Sequence, residues 1–153
     1  FNATVSGATL WTYDSGSNAP MLAAANGVVY VARRNMYADV LTALNATTTN
    51  TNGERLWGRE DESFSINAAP IVANDIVYFA YDGSLYAFNA TSSISSGNYQ
   101  QLWSDWSVTV KSPMAVADGV LFATTNAGTL YAYASSKKRY SPRQVYPQVQ
   151  TGA

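Results

Sequence analysis

The chain has 153 residues, 47% of them apolar, enough to bury a core, while only 12% are charged and the net charge is −1. That balance argues against a nucleic-acid binder that works by neutralising phosphates. With no Cys and no His, a zinc site, a His-ligated metal, a Ser–His–Asp triad and a Cys nucleophile are excluded within the chain. No run approaches the roughly eighteen apolar residues of a membrane-spanning helix.

Residues 1–18 open with Phe1-Asn2-Ala3-Thr4 and continue to Leu10-Trp11. A first full unit, 19–58, follows. Pro20 begins an apolar run, Asn26-Gly27 forms a turn, and Val28-Val29-Tyr30-Val31-Ala32 reads as a strand. After a longer segment, Arg33 to Ala38, comes Leu41-Thr42-Ala43-Leu44-Asn45, and the unit closes on Leu56-Trp57. A second unit, 68–104, repeats this order. Pro70, Asn74-Asp75, Ile76-Val77-Tyr78-Phe79-Ala80, Asp82-Gly83, Leu85-Tyr86-Ala87-Phe88-Asn89 and Leu102-Trp103 fall in sequence. A third unit, 112–149, has Pro113, Asp118-Gly119, Val120-Leu121-Phe122-Ala123-Thr124, Ala127-Gly128 and Leu130-Tyr131-Ala132-Tyr133. The Leu-Trp pairs are spaced 46 residues apart.

Short runs rich in β-branched and aromatic residues, bounded by Asn-Gly and Asp-Gly pairs, are the signature of antiparallel hairpins. No stretch sustains a helical period. Each unit therefore predicts four antiparallel strands, placed in the second unit near 68–73, 76–81, 84–89 and 100–104. The fold class is all-β: four-stranded sheets repeating every forty to fifty residues or so, as in propeller blades. The order of Pro, apolar run, turn, Val-Tyr-Phe, Gly turn, Leu-Tyr-Ala-Phe-Asn-Ala-Thr and Leu-Trp resembles the repeat of quinoprotein-type (pyrroloquinoline-quinone-like) propellers over residues 1 to about 136. The family's compact turn before the Trp strand is lengthened here, to Thr47–Gly53 and Thr91–Gly97.

Phe1-Asn2-Ala3-Thr4 matches Phe88-Asn89-Ala90-Thr91, so the register starts inside a unit, and it fades after Tyr133. The sequence thus predicts about three blades of an incomplete propeller, with Ala8–Asp14 as an outer strand of a preceding blade and Arg143–Val149 as an edge strand. Propellers close with about four to eight blades. Two readings account for the rest: further blades of a longer chain, or other copies that add the orphan strand to a neighbour's last blade, closing into a ring or extending as a filament.

The family resemblance implies, for its dehydrogenases, a quinone held by calcium, with Glu and Asn ligands, an Asp base and often a vicinal disulfide. This chain has no Cys, and its glutamates Glu54, Glu60 and Glu62 match no such motif. No catalytic, cofactor-binding or metal site is assigned. Other family members are non-catalytic scaffolds that bind proteins. Glu60-Asp61-Glu62 reads as a solvated loop, because adjacent strand residues point apart and chelate poorly. Asp75, Asp82 and Asp118 read as turn formers. Lys137, Lys138, Arg139 and Arg143 read as a solvated tail.

Trp11, Trp57 and Trp103 recur at one position and are expected to pack between blades. Trp106 does not recur and is the candidate surface aromatic. Asn2, Asn45 and Asn89 each begin an Asn-Ala-Thr sequon, read either as strand-end substitutes for the family's Asp or as N-glycosylation sites. Together these features predict a non-catalytic, exported (extracellular or periplasmic) scaffold segment for protein or glycan ligands, with no nucleic-acid partner and no membrane span. The alternatives are a self-assembling structural subunit and a fragment of a quinone-dependent oxidoreductase.

Overall fold

The computed structural model describes residues 7–16, 20–33, 39–60, 66–91 and 99–134, without the side chains of residues 39, 40 and 60. They form eleven strands: β1 (Met21–Ala25), β2 (Val28–Ala32), β3 (Asp39–Asn45), β4 (Arg55–Glu60), β5 (Ile66–Ala73), β6 (Ile76–Tyr81), β7 (Ser84–Asn89), β8 (Gln101–Asp105), β9 (Ala115–Ala117), β10 (Val120–Thr124) and β11 (Leu130–Ala134). Pairing follows chain order, giving antiparallel sheets β1-β2-β3-β4, β5-β6-β7-β8 and β9-β10-β11. These are the blades of an incomplete propeller, two with four strands and one with three. The segment Arg143–Val149, expected as a further edge strand, lies outside the described residues.

Turn chemistry sets the registers. Asn26-Gly27, Asn74-Asp75, Asp82-Gly83 and Asp118-Gly119 all have positive φ at both residues, from 47° to 79°. That is the backbone of the two-residue hairpin turn whose twist suits its strands, and Asn, Asp and Gly tolerate it best. Pro70 sits inside β5, an edge strand, where the pairing slips between Ala68 and Ile71. Edges and bulges are where a strand accepts a residue without an N–H.

The middle blade shows why the fold holds. All six residues of β6 are buried. Val77, Phe79 and Tyr81 enter one core with Val28, Tyr30, Ala32, Leu41, Ala43 and Trp57 of the first blade. Ile76, Tyr78 and Ala80 enter a second core with Leu121, Ala123 and Tyr133 of the third. A strand covered on both faces reads as a continuous apolar run, and this one does.

Residues 7–15 do not form the strand expected over Ala8–Asp14. They lie along the β3–β4 loop, with the Thr12 N–H donating to Thr51 O at 2.9 Å. A strand needs a ladder partner, and Phe1 and Asn2, which correspond to the end of that partner in the second unit, lie outside the described residues. Arg33, buried, donates to the Ser15 carbonyl and ties the far end of this segment to the first blade.

Candidate functional site

The recurring Trp positions stand over equivalent places on successive sheets. Trp57 is 1% exposed, with its ring centroid 6.3 Å from Phe88 of the second blade and 5.9 Å from Tyr30 of its own. Trp103 is half-buried and stacks on Tyr133 of the third blade at 5.5 Å. Trp11 lines an open apolar hollow on the first sheet with Tyr13, Pro20, Leu22, Val29, Val31 and Leu44. Its Nε1 donates to Ala46 O at 3.2 Å. Leu44, Phe88 and Tyr133 hold the same place in the repeat, so each Trp meets the third strand of the blade that follows it.

Two residues beyond each Trp, the repeat diverges, and this the sequence reading missed. The half-buried Arg59 guanidinium lies 4.4 Å from the Tyr86 ring centroid and 5.2 Å from that of Tyr81. Phe88 and Tyr99 complete the surround at 5.7 and 5.9 Å. Arg59 also donates to Gln101 Oε1 at 3.4 Å. The equivalent residue of the next unit, Asp105, is 9% exposed and accepts from Tyr133 Oη at 3.1 Å. Its other oxygen accepts from the Ser107 N–H and hydroxyl, at 2.9 and 2.6 Å. Burial, then the Asp105 charge and hydrogen bond, raise the Tyr133 phenol far above its ordinary range. The available signal was the 46-residue register itself, which aligns Tyr13, Arg59 and Asp105 as the variable members of a constant frame.

A third link crosses the first interface. Tyr30 Oη donates to Ala90 O at 2.6 Å, and the Tyr30 pKa is pushed up to about 12, first by burial and then by the Asp75 charge. At the β1–β2 end, Asn26 Nδ2 donates to Asp75 Oδ1 at 3.2 Å, joining two turns of adjacent blades.

Two of the three sequons fall within the described residues; Asn2 lies outside them. Asn45 Oδ1 accepts from the Thr47 N–H at 3.0 Å and hydroxyl at 2.9 Å, while its Nδ2 donates to Glu54 Oε2 at 2.8 Å. Asn89 repeats the arrangement with Thr91 at 3.1 and 2.9 Å and with Gln100 at 2.8 Å. Asp105 and Ser107 build the same turn without an amide. The Asn/Asp-x-Ser/Thr pattern is therefore a strand-end device in which a side-chain oxygen satisfies backbone and hydroxyl donors. This accounts for the repetition of the sequons whether or not a glycan is attached.

Trp106 is 75% exposed on the connection leaving β8. Asp61 and Glu62 of the acidic cluster lie outside the described residues, as do Lys137, Lys138, Arg139 and Arg143. Among the described residues, no group of three His, Cys, Asp or Glu side chains converges, and no helix is long and apolar enough to cross a membrane.

Antiparallel sheets of three and four strands that meet face to face, with a Trp of one sheet's fourth strand packed on the third strand of the next, define a propeller-blade repeat. A family model described as outer membrane protein assembly factor BamB (PQQ_2) matches residues 1–97, and the chain belongs to that family. Among solved structures, the chain is similar to the computationally designed Ika8 protein, with a TM-score of 0.56 and 15% identity, covering 80% of this chain and 36% of that one. BamB from Moraxella catarrhalis gives a TM-score of 0.54 at 15% identity, covering 77% and 34% respectively. A europium-containing methanol dehydrogenase gives 0.54 at 14% identity, covering 78% and 24%. The chain thus spans about a third of the first of these and about a third of the BamB structure. No protein of curated function matches it. At these identities the likeness is one of fold.

Proposed function

We infer that this chain is a propeller scaffold segment, exported from the cytoplasm, whose blade rims and loops bind other proteins or glycans and which performs no catalysis. One observation carries the reading. The spaces between the described sheets are filled with packed apolar and aromatic side chains, whereas large aromatics are displayed at the outer strand of the middle blade, with Trp106 75% and Tyr99 40% exposed. Family membership supports it, since the family description is of an assembly factor. The absence of Cys and the sequons at Asn2, Asn45 and Asn89 are consistent with an exported, glycosylated chain. The test is to cross-link the intact protein in its native compartment and, in parallel, to assay it for quinone absorbance and calcium-dependent dye reduction. Cross-links leaving the β8 rim without dye reduction are expected. Dye reduction would overturn the scaffold in favour of an oxidoreductase. Loss of mass on enzymatic deglycosylation reports the sequons.

A second reading rests on two sheet faces. Leu22 on the first sheet is 60% exposed and lines the hollow under Trp11, and Leu130 on the last is 51% exposed. Faces of this kind are covered by another blade, from the same polypeptide or from a second copy. A native mass well above 16.5 kDa for a single polypeptide, after deglycosylation, means the first; a mass near it, with assembly into rings or filaments, means the second.

A further inference from the structure

Trp106 is exposed yet held. The residue before it, Asp105, is a buried carboxylate carrying three hydrogen bonds, and Val108 and Val110 just beyond are 2% and 0% exposed. The backbone is thus pinned on both sides of the indole. The ring itself is fixed by its Nε1, which donates to Ser104 Oγ at 2.8 Å. Large side chains lose much freedom when a ligand orders them, and this one is ordered beforehand.

With its one polar atom used internally, the indole offers a ligand only its apolar, electron-rich ring face. The side chains that border the ring, Ser104 and Gln101, are neutral and polar, and the Arg59 guanidinium beyond them is engaged with Gln101 Oε1 and the rings of Tyr81 and Tyr86. Ser104 Oγ also accepts from Gln101 Nε2 at 3.3 Å, so both its lone pairs are occupied and its O–H is the group it has to offer a ligand. Ser107 and Thr109 are exposed on the same connection. A protein-binding hot spot has a wide apolar ring that keeps water out. Here the apolar residues that follow Trp106 are turned inward, so that ring is missing. One rigid aromatic face bordered by hydroxyls and a carboxamide instead matches a pyranose, whose C–H face stacks and whose hydroxyls exchange hydrogen bonds.

We propose that Trp106, with Ser104 and Gln101, forms a binding site for neutral carbohydrate on the outer strand of the middle blade. This deepens the scaffold reading and rests on it. The site is tested by calorimetric titration of the intact protein with three hexamers: β-1,4-glucan, β-1,4-linked N-acetylglucosamine and α-1,6-mannan. At least one is expected to bind, with a blue shift of the Trp106 emission. Trp106→Ala is expected to weaken that binding by about tenfold or more, as for a central aromatic anchor, and Ser104→Ala by less. Because Trp106 is exposed, the unfolding midpoint should be unchanged in Trp106→Ala; if it shifts, Trp106→Phe serves, keeping the ring face but losing the bond to Ser104. No binding of any hexamer at millimolar concentration, or binding indifferent to Trp106, overturns the proposal. Cross-links to a protein that Trp106→Ala abolishes while no hexamer binds also overturn it, but leave the scaffold reading standing.

Discussion

The two interfaces between blades use one frame and two chemistries. In both, the Trp of a fourth strand packs on the third strand of the next blade: Trp57 on Phe88, Trp103 on Tyr133. Two residues on, the first interface places Arg59 over Tyr86, and the second buries Asp105 against the Tyr133 hydroxyl. The substitutions are paired. Phe88 has no hydroxyl to offer, and Arg59 takes the ring faces instead; Tyr133 has one, and Asp105 accepts it. The repeat thus conserves an apolar anchor and lets a polar partner vary with what lies opposite. The first interface is also the drier, because Trp57 is fully buried and Trp103 only partly so.

The largest effect should come from the anchors. Trp57→Ala is expected to destabilise by about 3–5 kcal/mol in urea unfolding, as for a fully buried aromatic, and Trp103→Ala by clearly less. Equal losses would mean that the two interfaces are energetically alike despite their different burial. Next come the polar partners. Asp105→Ala strands the Tyr133 hydroxyl and the Ser107 donors, at about 1–3 kcal/mol. Arg59→Ala removes a cation from several rings, at about 0.5–2 kcal/mol. A double substitution, Arg59→Asp with Phe88→Tyr, would sharpen the comparison by recovering part of what Arg59→Asp alone loses.

Alkaline titration separates the interfaces further. The Tyr30 pKa rises from its ordinary 10.0 to about 12 in the folded protein, so the folded state holds a proton that the unfolded chain releases. Its contribution is complete below pH 10 and is lost as pH climbs from about 10 through about 12. Tyr30→Phe should cost about 1 kcal/mol near neutrality and flatten the fall of stability over that window, leaving the portion due to Tyr133. The smallest effect expected is at the strand-end turns. Asn45→Asp sets a carboxylate against Glu54 and should lose less than about 1 kcal/mol, more so at low salt. Asn89→Asp faces Gln100, whose amide can turn to donate, and should be close to neutral.

Much of the architecture was legible because turn dipeptides mark every blade and Leu-Trp pairs close the first two. The strands expected at 76–81 and 84–89 in the second unit are found there, since Asn74-Asp75 and Asp82-Gly83 allow little choice of register. The network around Arg59 and Trp106 was not legible, and bulges are one reason. Pairing slips between Ala87 and Phe88, so Gln101 and Ser104 come to one face although their numbering parity puts them on opposite faces. A one-residue slip inverts every later side chain, and no turn signal announces this one. The other reason is reach. Strand alternation tells which face Arg59 occupies but not that its long side chain crosses to the next sheet. The outer strand expected over Ala8–Asp14 rested on register alone, without the ladder that makes a strand.

The paired interfaces bear on how such a repeat can be recombined. Arg59 answers to Tyr86, and Asp105 to Tyr133, across the boundary between sheets. A blade transplanted whole would separate both couples, leaving a guanidinium without its rings or a buried carboxylate without its tyrosine donor. Cutting each sheet between its third and fourth strands would move each couple intact, Arg59 with Tyr86 on β4–β7 and Asp105 with Tyr133 on β8–β11. For duplication, shuffling or design, the heritable module in this chain is the seam, and the blade is completed only when one module lends its first strand to the module before it.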